Sequence, residues 1–192
     1  MFIVGFAALV NAENSAVLPV TGPATKLINT IKQKTTEEIQ LQQPVSLKPP
    51  FVRGIHLTSW MAGSKKGRAY IDTLLNETEI NTVVIDIKEY LGEVYIPGAK
   101  QPEEYKTYVN AMPDCAEYIK NLKKRNIYTI ARIVVFKDDL LAKRKPEWAV
   151  LNSTGGVWQD RAGNSWLDPY NKNSWNYNIG IAKRAVELGF QG

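Results

Sequence analysis

From Phe51 onward, strand-like apolar runs alternate with helical segments of about ten to fifteen residues, and a chain built that way has few architectures open to it. VRGIHLT (52–58) reads as a first strand. Between Arg68 and Thr78, the residues Ile71, Leu74, Leu75 and Thr78 share one helical face. TVVIDIK (82–88) is a β-branched run typical of a strand buried on both faces. Pro113 suits a first helical position, and the helix it opens carries Ala116, Ile119 and Leu122 towards Asn126, a left-handed cap. IYTIARIVVF (127–136) is the third strand. After a long stretch rich in Trp, Gly and Asp, Ser174 caps a final helix carrying Ile181, Ala182, Ala185, Val186 and Leu188, closed by Gly189.

Strand–helix alternation of this kind means a parallel sheet with right-handed crossovers. A complete (β/α)8 barrel usually needs about 250 residues, and the chain has 192. Phe190-Gln191-Gly192 falls where a fourth strand should start. The expected fold is therefore α/β of the (β/α)8 TIM-barrel type, present as a truncated N-terminal part of about three to four β/α units. An open three-stranded parallel sheet would leave an edge exposed.

The composition agrees with a globular chain, since 44% of residues are apolar and 22% charged. Residues 51–192 hold the expected domain. Residues 1–12 begin with Met1 and the apolar run FIVGFAALV, and Val10-Asn11-Ala12 fits the small-x-small pattern of a signal-peptidase site. The run is too short to span a bilayer. It reads as a signal peptide or membrane-anchor remnant, which would place the protein outside the cytoplasm, secreted or anchored at the cell envelope. Residues 13–50, rich in Thr, Gln, Pro and Lys, read as a flexible linker with at most a weak amphipathic helix at TKLINTIKQKTTEEIQ.

The net charge of +5 comes from short basic runs at predicted helix ends: Lys65 to Arg68, Lys120 to Arg125 and Lys143 to Lys145. No nucleic-acid motif accompanies them, so no nucleic-acid partner is expected; such a partner would bind with steep salt dependence. Cys115 and His56 are each the sole residue of their type. Intrachain disulfides, thiol zinc sites and multi-histidine metal centres are excluded, so metal chemistry would have to rest on carboxylates, and no metal or cofactor is expected. Gly155-Gly156 has neither P-loop nor dinucleotide spacing.

Ligands of parallel α/β folds meet the carboxyl ends of the strands. The first strand delivers His56, Thr58, Ser59 and Trp60; the second delivers Asp86, Lys88 and Glu89; the third delivers Arg132, Lys137, Asp138 and Asp139. Four of the five tryptophans then lie between Trp148 and Trp175, among Asn, Gly and Asp. Indole faces beside carboxylates and amides suit a sugar, whose C–H face stacks while its hydroxyls hydrogen-bond. The competing reading has these rings pinning a long loop to the scaffold. Glycoside hydrolysis usually takes two flanking carboxyl groups, and Asp86, at the inner end of a buried strand, is the catalytic candidate. Burial would penalise its charge unless Lys88 or Arg132 paired with it; a purely structural ion pair is the alternative. Trp60, Arg132, Asp138, Trp158, Trp166 and Asp168 are the substrate-binding candidates. Against this, Asp138 and Asp139 would serve equally as helix caps, Asp168-Pro169 as a turn, and Glu89 as a solvated side chain.

The ordered segments FVRGIHLTSWMAG, NTVVIDIKEYLGEV, IYTIARIVVFKDDLLA, PEWAV and GGVWQDRAGNSWLDPY, followed by a helix and LGF, resemble a family of glycoside-hydrolase-like TIM barrels from about Phe51 to Gly192. In that family the chain continues into a strand resembling FDYVRFP, similar to the fourth strand of alpha-amylase-type barrels. The resemblance implies a nucleophilic aspartate there and a general-acid glutamate on the strand after it, neither of which lies in this sequence. It implies a retaining glycoside hydrolase acting on a polysaccharide or oligosaccharide, with Asp86, Arg132 and the Trp-rich loop as supporting or substrate-binding groups. The alternative is a non-catalytic carbohydrate-binding or envelope-associated module on the same scaffold.

Overall fold

A computed structural model describes residues 48–192. The expectations for residues 1–12, and for the linker up to residue 47, lie outside the described residues. Strands β1 (Gly54–Leu57), β2 (Thr82–Lys88) and β3 (Tyr128–Ile133) form a parallel sheet in the order β1-β2-β3. Helices α1 (Ser59–Gly63) and α2 (Lys65–Glu77) join β1 to β2. Helices α3 (Lys100–Glu104) and α4 (Cys115–Lys124) lie between β2 and β3, and α5 (Asp139–Arg144), a 3₁₀ turn (Pro146–Trp148) and α6 (Lys172–Glu187) follow. The mixed α/β class and parallel sheet are as expected.

Alternation along the strands separates two faces. Val83, Ile85 and Ile87 of β2 join Ile71 and Leu75 of α2, Ile119 and Leu122 of α4, and Ile181 and Ala185 of α6 in one buried apolar cluster. The opposite face carries His56, Val84, Asp86, Ile130 and Arg132 by the same alternation, and there His56 and Arg132 are exposed. Cys115 lies inside the apolar cluster, where burial pushes its thiol up to about 12.

Helix ends follow local hydrogen bonding more closely than apolar spacing. α2 starts three residues before Arg68 because Ser64 Oγ accepts from the Gly67 amide at 2.9 Å. α6 starts at Lys172, before the expected Ser174 cap, because the Asn171 side chain accepts from Asn173 N–H at 2.8 Å. Ser174 is buried instead within the first turn. Asn126 and Gly189 take the left-handed backbone expected of them, at φ 60° and 102°. β3 stops at Ile133, short of Phe136. The ladder shifts register between Asp86 and Lys88, and the next carbonyls, Val134 O and Val135 O, accept from Lys88 Nζ at 2.6 and 3.4 Å.

The short α1 is wedged beside the segment preceding α4. A methyl group on Gly63 would overlap the backbone carbonyl of Ala111, which has no flexible end to yield. Gly63→Ala is expected to destabilise the fold by about 3 kcal/mol, read as a fall of about 1–2 M in the urea midpoint; an unchanged midpoint contradicts this packing.

Candidate functional site

The open face of the sheet is organised around Asp86. It is 3% exposed, and its register partner on β3 is Arg132. Arg132 Nη1 donates to Asp86 Oδ1 at 2.6 Å, and His56 Nε2 lies 2.7 Å from Oδ2. Three adjacent strands thus each contribute one member of a His56–Asp86–Arg132 chain across the sheet. The two outer side chains are about half exposed, 54% for His56 and 50% for Arg132, while the carboxylate between them is not. Its burial is tolerated because both oxygens are occupied. Ser59, at the start of α1, donates its hydroxyl to the Asp86 backbone carbonyl. That bond secures α1, and with it the next residue, Trp60.

Trp60 is 57% exposed. Its ring meets buried Tyr95 edge-on, with centroids 6.3 Å apart at 65°, a favourable aromatic arrangement. The Tyr95 hydroxyl donates to Glu93 Oε2 at 2.6 Å. Burial first, and then that hydrogen bond, hold the hydroxyl proton well above the usual tyrosine range. Between β2 and Tyr95 the chain makes a tight turn, closed by Gly92 N–H to Glu89 O at 3.0 Å and by Glu89 N–H to Glu93 O at 3.1 Å. Gly92 has φ +98° there, and a side chain would collide with Asp138. The turn sets Glu89 beside Asp86. Burial, then the charges of Asp86 and Glu93, raise its carboxyl above the ordinary glutamate range, with Arg132 and His56 opposing.

A second group sits on the loops after β2 and β3. Lys137 Nζ is 2.9 Å from Asp160 Oδ2 and lies over the rings of Tyr90 and Trp166, at 5.2 and 5.6 Å from their centroids. Trp166 Nε1–H donates to the same Asp160 oxygen at 3.3 Å. Asp160 Oδ1 accepts from the Ala162 and Asn164 amides at 2.9 and 3.0 Å. Lys137, followed by these donors, holds the Asp160 carboxyl far below its usual range. Among the described residues, no group of three or more His, Cys, Asp or Glu side chains is placed to hold a metal ion, and no helix is long and apolar enough to cross a membrane.

The structure joins Asp86 to Arg132, sets Trp60 against Tyr95 and places Trp166 in the second group. Trp158 is exposed, on a small hairpin closed by Leu151 and Val157. Two candidates are differently employed. Asp138, expected to touch substrate, is 0% exposed; its Oδ2 lies 2.9 Å from buried Lys88 Nζ and its Oδ1 caps α5 through the Leu141 amide at 2.9 Å. A carboxylate so enclosed cannot reach a ligand on the open face. Asp168 Oδ1 accepts from the Tyr170 amide at 2.9 Å, closing the turn before α6. Of the remaining tryptophans, Trp148 packs edge-on against Tyr105 and Trp175 donates to Pro169 O, the loop-pinning role. Sequence reasoning placed Glu89 and Lys137 at strand ends but read Glu89 as solvated, and it missed Glu93, Tyr95 and the pairing of Lys137 with Asp160. The one available signal was that Glu89 directly follows a buried strand.

A family model described as "Putative glycosyl hydrolase domain" matches residues 54–192. The chain belongs to this family. Its resemblance to glycoside-hydrolase-like proteins, read from the strand and loop motifs, is thereby shown. Among solved structures, the family member is similar to a hypothetical protein from Ruminiclostridium thermocellum ATCC 27405, at 42% identity and TM-score 0.66, over 71% of this chain and 72% of that one. It is also similar to a noncanonic maltogenic alpha-amylase, AmyB, from Thermotoga neapolitana, at 16% identity and TM-score 0.49, over 72% of this chain and 37% of that one. A cycloalternan-degrading enzyme from Trueperella pyogenes, in complex with cycloalternan, matches at 18% identity and TM-score 0.45, over 72% of this chain and 24% of that one. No curated protein matches the chain.

Proposed function

We propose that residues 54–192 form the first β/α units of a glycoside-hydrolase barrel and that the open sheet face binds a polysaccharide or oligosaccharide. The observation that carries the reading is the His56–Asp86–Arg132 chain beside exposed Trp60. It sets an indole face for a sugar ring next to fixed polar groups for its hydroxyls. The barrel reading is supported by the consecutive strand order. It is also supported by the outer edge of β3, where Gln191 N–H donates to Thr129 O at 2.9 Å and Ala131 N–H to Gly192 O at 2.8 Å. An apolar groove of about 300 Å³, lined by Ile133, Val135, Phe136, Trp175 and Ile179, flanks β3 and α6.

Asp86 has both oxygens engaged and serves as an orienting group, not a free nucleophile. That favours binding without turnover by this chain and keeps a non-catalytic carbohydrate-binding module as the second reading. The test is intrinsic tryptophan fluorescence of the 192-residue chain titrated with maltohexaose, cellohexaose, xylohexaose and chitohexaose. At least one is expected to give a saturable change, weakened about tenfold or more in Trp60→Ala, the loss of a stacked aromatic contact. Silence towards all four overturns the sugar reading. Rapid hydrolysis overturns the assignment of Asp86 as an orienting group without a catalytic partner.

A further inference from the structure

α6 is apolar around more of its circumference than packing on one sheet requires. Its inner face carries Tyr177, Ile181 and Ala185 into the core. A second row, Trp175, Ile179, Ala182 and Val186, faces outward, and all four residues are exposed, Val186 to 71%. They follow at intervals of four, three and four residues, the spacing of a seam that packs against another helix. Beside the row runs the groove of about 300 Å³ that it forms with Ile133, Val135 and Phe136. Asn178, 6% exposed, lines this groove. Its Nδ2 donates to Ser174 O at 2.8 Å, but its buried Oδ1 has no partner among the described residues. Buried acceptors are normally satisfied, so a single copy leaves this surface unfinished.

We propose that the 192-residue chain pairs with a second copy of itself through this row, the two α6 helices running antiparallel about a two-fold axis. The row is complementary to its own reverse. A two-fold placed between Ile179 and Ala182 sets Ile179 opposite Ala182 of the second copy and Trp175 opposite its Val186, a larger side chain against a smaller one each time. The row lies on the helix side of the sheet, opposite the face of His56, Asp86 and Arg132, so the pairing does not depend on the sugar reading.

Charge selects the same direction. Lys172 opens α6 and Glu187 closes it, each at the end where the helix dipole opposes its charge. Among the described residues Lys172 has no ion-pair partner; its ammonium lies over the Trp175 ring, 3.7 Å from the centroid. Glu187 pairs with Arg184 of its own helix at 2.9 Å. Reversal brings Lys172 level with Glu187 of the second copy on the same side of the seam, and does so twice. It also moves each lysine to the carbonyl end of the opposing helix, where a cation is favoured. A parallel pair would set Lys172 against Lys172. Lys183, the other cation beside the row, meets Asn176 of the second copy in the antiparallel arrangement and not a like charge.

Sedimentation velocity on the 192-residue chain reads the pairing. A monomer–dimer equilibrium is expected, with a dissociation constant of about 1–100 µM, as for a small non-obligate interface. Ile179→Glu changes an exposed residue, so the urea midpoint of the dilute chain should stay in place while the dissociation constant rises about a hundredfold or more. Disulfide trapping reads the direction. Trp175→Cys mixed with Val186→Cys should cross-link on oxidation, whereas neither variant alone should, because like positions then lie about 16 Å apart along the seam. The native Cys115 is buried in all of them. A chain that stays monomeric up to about 1 mM overturns the proposal and leaves the face to a further β/α unit. A dimer that Ile179→Glu leaves intact overturns it too, as does a Trp175→Cys variant that cross-links to itself.

Discussion

Lys88→Ala is expected to remove about 3–5 kcal/mol of stability, the cost of stranding one member of a buried ion pair. Both side chains of the Lys88–Asp138 pair are 0% exposed, with Nζ 2.9 Å from Oδ2. The two opposite charges meet directly at that distance. Lys88 Nζ donates besides to Val134 O at 2.6 Å, and Asp138 Oδ1 holds the first turn of α5. Burial pushes the Asp138 carboxyl up and the Lys88 ammonium down, so each charge depends on the other to remain. Removing the lysine leaves a carboxylate in the interior and two carbonyls without their donor. The double variant Lys88→Met/Asp138→Asn is expected to recover part of the loss, because no uncompensated charge remains and the cap on α5 survives. Urea unfolding measures both. Labelling of Cys115 gives a second readout: a buried thiol pushed up to about 12 reacts when the fold opens, so Lys88→Ala should label faster than wild type. Equal stability of Lys88→Ala and wild type would show that the pair is not the clamp its burial implies.

The same pair marks where the sequence stopped being legible. β2 could be read to the residue because a β-branched run buried on both faces has no competing interpretation. The left-handed positions at Asn126 and Gly189 were equally plain. Alternation puts Asp86 and Lys88 on one face, so the lysine looked like a partner for Asp86. The register shift between these two residues instead turns Lys88 towards the loop after β3, where it meets Asp138. That shift leaves no trace in composition or periodicity. An aspartate just past a strand looks the same whether it faces a ligand or a buried lysine, and so the sequence could not tell that Asp138 turns inward to Lys88. Glu89 was read as solvated because nothing in EYLGEVY announces a turn that folds two glutamates back around Tyr95; only Gly92 hints at it. α1 and α3, each of five residues, are too short to show an apolar period.

Asp86→Asn should separate binding from folding in the opposite sense to Lys88→Ala. Asparagine preserves the shape and one acceptor, but the charge that holds His56 and Arg132 is gone. Those two side chains are half exposed, and water can take over their solvation. The stability cost is therefore discounted to about 1 kcal/mol, the upper end for exposed ion pairs. Binding has no such substitute, because the sugar reading needs Arg132 and His56 held in place across the sheet next to Trp60. Losing a hydrogen bond to a charged group is worth about 1.5–3 kcal/mol, so hexasaccharide affinity should fall by about 10–150-fold. Arg132→Gln should lower affinity by a similar factor, and the two changes together should cost less than their sum because they break the same contact. Fluorescence titration beside urea unfolding reads both quantities on each variant. Wild-type affinity in Asp86→Asn would reduce the three-strand chain to a structural ion pair, and the open face would then have to bind through Trp60 and the Lys137–Asp160 group alone.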